Sequence, residues 1–345
     1  MGVAITEILL KKEIDIDFLK GRTLVVDSPM WLYQFLSSIR QRDGSLLTDS
    51  KGNVTSHLMG LISRVSNLAQ QDIKLAFVFD GKPHKLKLMT LEKRKEIKQE
   101  AEKKLEEARK IEDYDLMKKF APRTSRLTKE MIEDSRILID ALGFPVINAP
   151  SEAEAQASYI VRKGDAYALS TNDADALLFG ATRIVRNLNM AGKRKKMNSL
   201  SFETISPDLV VLEENLQHLG LTQDQLICVA MLVGTDFNAG GIKGTGPKTA
   251  LKLVKKCGND FGSLFSELKW EEYFEYPWQE VFELIKNMPI DENYEMKWKN
   301  MDEAKIMRLL VDEHDFSAER VKSQIDAIRK SKETKAQKGL NDFFG

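Results

Sequence analysis

Three short apolar, β-rich runs in this chain each lead into acidic residues, and that recurrence limits the folds open to it more than any other feature. Thr23-Leu24-Val25-Val26 runs into Asp27, Leu75-Ala76-Phe77-Val78-Phe79 runs into Asp80, and Tyr167-Ala168-Leu169-Ser170 leads to Asp173 and Asp175. Near-continuous apolar strands separated by stretches of helical period predict a sheet buried on both faces, hence an α/β fold with a mostly parallel central sheet flanked by helices. Sites in such sheets form beyond the carboxyl ends of the strands, where these aspartates fall. The chain has 345 residues, 42% of them hydrophobic, enough to bury a core of that size.

Net charge excludes little, because 52 Lys plus Arg balance 52 Asp plus Glu. The distribution is more informative. Residues 82 to 126 hold 15 bases against nine acids, with no glycine from Leu86 to Phe120, so a long charged helix is expected there, either solvated or projecting over a ligand. Residues 271 to 319 are the opposite, with 14 acids against five bases, and Trp270, Trp278 and Trp298 are expected to pack a helical region. The longest apolar run, Leu226 to Val233, is far short of the ~20 residues of a membrane-spanning helix, and no signal peptide opens the chain. Cys228 and Cys257 are too few for a disulfide framework or a thiolate zinc site. The expectation is an intracellular protein with no membrane partner.

A helix is predicted from near Thr222 to Gly234, followed by Asp236 and the glycine-rich stretch Gly240-Gly241-Ile242-Lys243-Gly244-Thr245-Gly246-Pro247-Lys248, with Pro247 at the first position of a lysine-rich helix. Glycine lets a chain approach phosphate closely, and a helix N-terminus favours anions.

Asp27, Asp80, Glu152, Glu154, Asp173, Asp175 and Asp236 are candidates for one acidic constellation. Each has a plainer reading when taken alone. Ser151 with Glu154 spells a capping box, and Asn172-Asp173 spells a turn. If all seven converge, each pair ~5 Å apart repels by ~3 kcal/mol at an effective dielectric of 20. Protons or divalent cations must then neutralise the cluster. Oxygen ligation without His or Cys selects Mg²⁺ or Mn²⁺, and seven carboxylates suit two ions about 3.5 to 4 Å apart, the arrangement used for in-line attack on phosphodiesters.

Taken in order, Val25-Val26-Asp27 with Met30, Trp31 and Tyr33; Val78 to Pro83; Ala149 to Ala157; Thr171 to Asp175; Val233 to Asp236; and Gly244 to Lys248 resemble the archaeal and eukaryotic flap endonucleases over essentially the whole chain. The resemblance implies the 5′ nuclease (PIN-like) fold with a helical arch, and a structure-specific 5′ flap endonuclease with 5′-3′ exonuclease activity. Such an enzyme cuts branched DNA near the flap junction with two Mg²⁺, or Mn²⁺ in their place, in Okazaki fragment maturation and DNA repair. It assigns one ion mainly to Asp27, Asp80, Glu152 and Glu154, and the other to Asp173, Asp175 and Asp236 with Glu154 shared or nearby. Lys87 and Arg94, seven residues apart and so on one helix face, are implied as scissile-phosphate contacts.

Tyr33 is implied as the aromatic that stacks on a base, with a buried helix aromatic as the alternative. Gly241, Lys243, Gly244, Gly246 and Lys248 are implied to hold duplex DNA in a helix-two-turn-helix, often with a potassium ion, and Gly2 to contact DNA at the N-terminus. The Lys193 to Lys196 run is either a phosphate contact or a solvated hairpin tip. Ala153 stands where the family more often has glycine, and Thr245 where it usually has an apolar residue.

The chain ends in Gln337-Lys338-Gly339-Leu340-Asn341-Asp342-Phe343-Phe344. One helical turn gathers Leu340, Phe343 and Phe344 on one side. With Gln337, they resemble the peptide that replication enzymes dock on the sliding clamp. No lysine-rich extension follows, which points to the archaeal type. The expected organisation is a single nuclease domain over 1–330, monomeric alone, with a flexible clamp-binding tail over 331–345. Within the domain lie an N-terminal region over 1–100, the arch over about 82–130, an internal region over 140–236, the helix-two-turn-helix over about 222–258 and a C-terminal helical region over 259–330. A sister 5′ nuclease for bubbles or four-way junctions, or a non-catalytic scaffold joining clamp and DNA, are the competing expectations.

Overall fold

The apolar runs form strands whose pairing draws their carboxyl ends to one edge of the molecule. In the computed structural model, residues 3–41, 43–190, 192–195 and 202–330 are described. The strands are β1 (Lys12–Glu13), β2 (Thr23–Asp27), β3 (Lys74–Phe79), β4 (Val146–Asn148), β5 (Ala168–Ser170), β6 (Arg183–Arg186), β7 (Gly192–Lys195), β8 (Phe202–Ile205) and β9 (Asp208–Val211). Seven of them make one sheet in the order β1-β9-β6-β5-β2-β3-β4, while β7 and β8 pair separately. β6-β5-β2-β3-β4 run parallel, and β9 and β1 add antiparallel at one edge. From β2 the chain builds outward through β3 and β4, then crosses back to lay β5 on the other side of β2. This reversal is a switch point, and it opens a crevice at the carboxyl ends of β2 and β5.

Both faces of the sheet are buried, as the continuous apolar runs predict. Along β2, Val25 packs into one core while Leu24 and Val26 pack into the other; along β3, Ala76 and Val78 oppose Leu75, Phe77 and Phe79. Helices α1 (Ser28–Ser38), α2 (Ser56–Gln70) and α5 (Lys129–Ala141) contribute to the second core, together with residues of the helix over 318–330. α6 (Ala153–Lys163), α7 (Asp175–Leu178), α9 (Gln223–Val233), α10 (Pro247–Cys257), α11 (Phe261–Glu267) and α12 (Trp278–Lys286) contribute to the first. Trp31 Nε1 donates to Ser170 Oγ at 3.1 Å, tying α1 to β5. Trp270 is fully buried and Trp278 stacks on Phe265 at 4.8 Å, as the acidic helical region required, whereas Trp298 stays 39% exposed.

The charged segment forms α3 (Lys85–Lys110) and α4 (Tyr114–Phe120), separated by Glu112 in the left-handed region at φ 52°. Leu105, Ala108, Met117 and Ala121 form a small cluster of their own, so the pair packs mainly against itself. α9 begins with the full capping box of Thr222 and Gln225, and α10 begins at Pro247. The remaining helices of note are α8 (Leu212–Leu219) and α13 (Glu303–Met307). No helix among the described residues is long and apolar enough to cross a membrane.

Candidate active site

Each acidic residue is held by a local device at the switch point. Asp27 closes β2, and its Oδ1 accepts the Met30 amide at 3.1 Å, so the same residue ends a strand and caps α1. Asp80 follows β3. There Gly81 N donates to Ser151 O at 2.7 Å and Lys82 N to Pro150 O at 3.2 Å. A Cβ on Gly81 would lie 2.1 Å from Ala149 O, so only glycine allows the loops after β3 and β4 to run this close.

That contact brings Asp80 Oδ1 within 2.8 Å of the Ala153 amide, the first of α6. This carboxylate oxygen takes an orphan donor at the helix start. The N-cap is Glu152, without a side-chain cap, so the helix starts one residue later than the Ser151–Glu154 capping box requires and the box does not form. Glu152 and Glu154 thus belong to the site and not to the helix cap. Ala153 is buried at the helix start in ordinary helical backbone, where glycine is not required.

Beyond β5, Asp173 Oδ1 accepts the Asp175 amide at 3.3 Å, and Asp175 Oδ1 accepts the Val3 amide at 2.8 Å. Carboxylate oxygens of Glu154, Asp173 and Asp175 lie within 4.8 Å of one another. Asp236 follows α9, and α3 reaches over it from above. Thr90 Oγ1 donates to the Asp236 carbonyl at 2.8 Å, Arg94 pairs with its Oδ1, and Lys87 Nζ stands 3.5 Å from its Oδ2 and pairs closely with Glu152.

Electrostatics bind the seven into one group. Burial, followed by Asp80, pushes Asp27 up to about 7. Burial and then Asp173 hold Glu154 and Asp175 well above the usual carboxylate range, with Asp27 adding to the first and Asp236 to the second. Burial also raises Asp173, Glu152 and Asp80 in spite of their hydrogen bonds and, for Glu152 and Asp80, in spite of Lys87. Burial alone would lower Lys87; Glu152 and then Asp236 reverse that and raise it. Asp27, Glu152 and Asp175 are buried, Glu154, Asp173 and Asp236 half-buried, and Asp80 lies exposed at the rim. A carboxylate cluster whose buried members resist ionisation, offering oxygen donors without His or Cys, fits hard divalent cations.

Sequence reading located the seven carboxylates, Lys87 and Arg94, and the structure brings all nine together. It missed three neighbours. Thr90 shares the α3 face of Lys87 and Arg94; Lys98, one turn further, sets its amine 5.0 Å from the Tyr33 ring; and Thr171 lies fully buried between Asp27 and Glu154. Helical spacing of 87, 90, 94 and 98 could have shown the first two. Tyr33 is 39% exposed on α1, so it is not a buried core aromatic.

The glycine-rich turn forms between α9 and α10. Gly241 at φ 56° and Gly244 at φ 83° need the left-handed region, while Gly246 has ordinary extended backbone before Pro247. Lys243 and Lys248 are exposed on it, and the Thr245 amide donates to Ile242 O at 3.0 Å, closing the turn without an apolar side chain there. Gly2 and the peptide residues Gln337, Leu340, Phe343 and Phe344 lie outside the described residues. So does Lys196, while the backbone of Lys193 to Lys195 forms β7.

Comparison with known proteins gives the same picture. The family described as the XPG N-terminal domain matches residues 1–101, and the XPG I-region matches 143–236. Flap endonuclease 1 of Thermococcus onnurineus is 44% identical over 345 residues, covering 100% of this chain and 99% of the relative, and that of Pyrococcus furiosus is 43% identical over 344 residues, covering 100% and 99%. Among solved structures, flap endonuclease-1 from Methanococcus jannaschii matches with a TM-score of 0.75 at 40% identity, covering 97% of this chain and 100% of that one. The catalytic core of Rad2 in complex with DNA substrate shares the fold at a TM-score of 0.69 and 22% identity, covering 95% and 100%. With the nuclease fold, the acidic switch-point site and full-length relatives all in agreement, the chain belongs to the flap endonuclease family.

Proposed function

We propose that this nuclease is a structure-specific 5′ flap endonuclease, with 5′-3′ exonuclease activity, that hydrolyses a DNA phosphodiester near the flap junction in Okazaki fragment maturation and repair. The observation that carries the reading is the meeting of seven carboxylates at the switch point beneath the cationic face of α3. Asp27, Asp80, Glu152 and Glu154 would hold one Mg²⁺, and Asp173, Asp175 and Asp236, sharing Glu154, a second, with Mn²⁺ able to replace either. When bound, such ions supply charge neutralisation at the attacked phosphate and acidify the attacking water.

The protein's own part is positioning. Lys87 and Arg94 pair with carboxylates in this state, and the same cations exchange them for the scissile phosphate when DNA arrives. Tyr33, exposed beside them, stacks on the adjoining base. Residues 82–130 form the arch over the 5′ strand. Gly241, Lys243, Gly244, Gly246 and Lys248 grip the downstream duplex through amides and ammonium groups, with K⁺ at the turn, and Gly2 adds an N-terminal contact. The nuclease unit spans 1–330 and acts as a monomer inside the cell. The segment 331–345 docks on the sliding clamp through Gln337, Leu340, Phe343 and Phe344.

The test is a double-flap DNA incubated with the intact protein and Mg²⁺ or EDTA, beside bubble and four-way substrates. Cleavage near the flap junction that requires the cation is the expected result. Binding without cleavage would overturn the reading in favour of a scaffold, and preference for the bubble or the four-way junction in favour of a sister nuclease.

A further inference from the structure

Thr171 follows β5 directly and is fully buried. β5 runs parallel to β2 with Ser170 opposite Val26, so the next residues, Thr171 and Asp27, leave the sheet side by side. Thr171 Oγ1 lies 3.2 Å from Asp27 Oδ2 and 3.0 Å from Glu154 Oε1, and it accepts the Asp173 amide at 3.1 Å. One hydroxyl therefore touches the end of β2, the first turn of α6 and the loop carrying Asp173 and Asp175. These are the two ligand groups assigned above, together with the carboxylate they share.

A threonine hydroxyl has one hydrogen and two lone pairs. The Asp173 amide uses one lone pair, and the single hydrogen lies between two carboxylate oxygens that would otherwise repel each other. The β-branched side chain has few rotamers to leave for, and its buried setting removes water as a substitute donor. We propose that Thr171 is a positioning residue whose hydroxyl fixes Glu154 against Asp27 on one side and the Asp173 loop on the other, so that both cation sites load together. This rests on the metal-centre reading above. Residues that orient ligands in this way are worth roughly 10- to 100-fold in metal affinity.

Mn²⁺ titrated into the intact, DNA-free protein, with bound ions counted by electron paramagnetic resonance, tests it on the wild type, Thr171→Val, Thr171→Ser and Asp175→Asn. Thr171→Val keeps the shape and removes the hydroxyl; it should bind Mn²⁺ about 10-fold or more weakly, with the two ions no longer loading together. Thr171→Ser should restore both. In flap cleavage, Thr171→Val should raise the Mg²⁺ concentration for half-maximal rate while leaving the KM for DNA unchanged, a split that mere loosening of the fold would not give. If valine compromises folding, as judged by melting, Thr171→Ala serves as the hydroxyl-free variant.

Wild-type Mn²⁺ affinity and stoichiometry in a folded hydroxyl-free variant, with Asp175→Asn impaired, overturns the role of Thr171 alone. Failure of the wild type to bind Mn²⁺, or wild-type binding by Asp175→Asn, overturns the metal-centre reading, and the role of Thr171 with it.

Discussion

Lys87 reaches from the first turn of α3 to Glu152 at the head of α6, an ion pair whose side chains are only 15% and 9% exposed. Its ammonium also faces Asp236 at 3.5 Å, so the base of the charged helix is fastened to two of the acidic residues it would serve. A screened surface pair contributes little, but removing one partner of a buried pair leaves an uncompensated charge.

Lys87→Ala should therefore lower the single-turnover rate of flap cleavage by roughly 10²- to 10³-fold, the range for loss of one donor aimed at developing charge. Binding of the flap substrate, measured by fluorescence anisotropy in Ca²⁺, should change far less. An undiminished cleavage rate would remove Lys87 from the chemistry.

Asp27 ties stability to pH. Burial and Asp80 raise it from 3.8 to about 7 in the folded protein. Between those values the folded state holds a proton that the unfolded chain has released, so stability falls as pH rises through that window, by at most about 1.4 kcal/mol per pH unit for one proton. In EDTA the protein should melt lower at about pH 8 than at about pH 5. Asp27→Asn should flatten that slope, and Mg²⁺ should raise the melting temperature more at the higher pH. Parallel slopes for wild type and Asp27→Asn would contradict the assignment.

Two glycines of the α9–α10 turn separate folding from binding. A Cβ on Gly241 would meet Leu232 O at 2.4 Å in a left-handed backbone, so Gly241→Ala should destabilise the protein by about 1–3 kcal/mol. Gly246 has ordinary backbone and open space around it, so Gly246→Ala should leave melting nearly unchanged. If duplex phosphate approaches that backbone, the added methyl should still weaken duplex binding several-fold. Unaltered binding by Gly246→Ala would place the duplex elsewhere.

Tyr33 presents its ring under Lys98 at 5.0 Å. Base stacking depends on the ring and not on the hydroxyl. Tyr33→Phe should retain cleavage, whereas Tyr33→Ala should lose about 1–3 kcal/mol of transition-state binding, read from kcat/KM on a flap substrate. Equal rates for the two variants would reduce Tyr33 to a surface residue.

Much of this arrangement was legible in the sequence because strand ends and acids coincide. Asp27, Asp80, Asp173 and Asp175 stand where apolar runs stop, and a parallel sheet gathers such stops at one edge. Helix limits were legible where capping is local, as with Thr222 and Gln225. They were misread where the acceptor comes from far away: Asp80, beyond β3, takes the Ala153 amide at the start of α6, whose N-cap is Glu152, and the Ser151–Glu154 pattern forms no cap. Thr171 escaped for a similar reason. Its meaning lies in contacts with Asp27 and Glu154 on other elements, and a single hydroxyl beside two conspicuous aspartates carries no periodic signal.

The strand order has a consequence for how such a protein is made. β2 carries Asp27 near the start of the chain, yet the crevice it borders is completed only when β5 has crossed back beside it and Asp236 has followed α9. Neither of the two matched regions, 1–101 or 143–236, holds the whole set of acids. A growing polypeptide, or a fragment cut between them, therefore lacks the assembled cutting centre. Through this connectivity the full set of acids is gathered only once synthesis has passed Asp236.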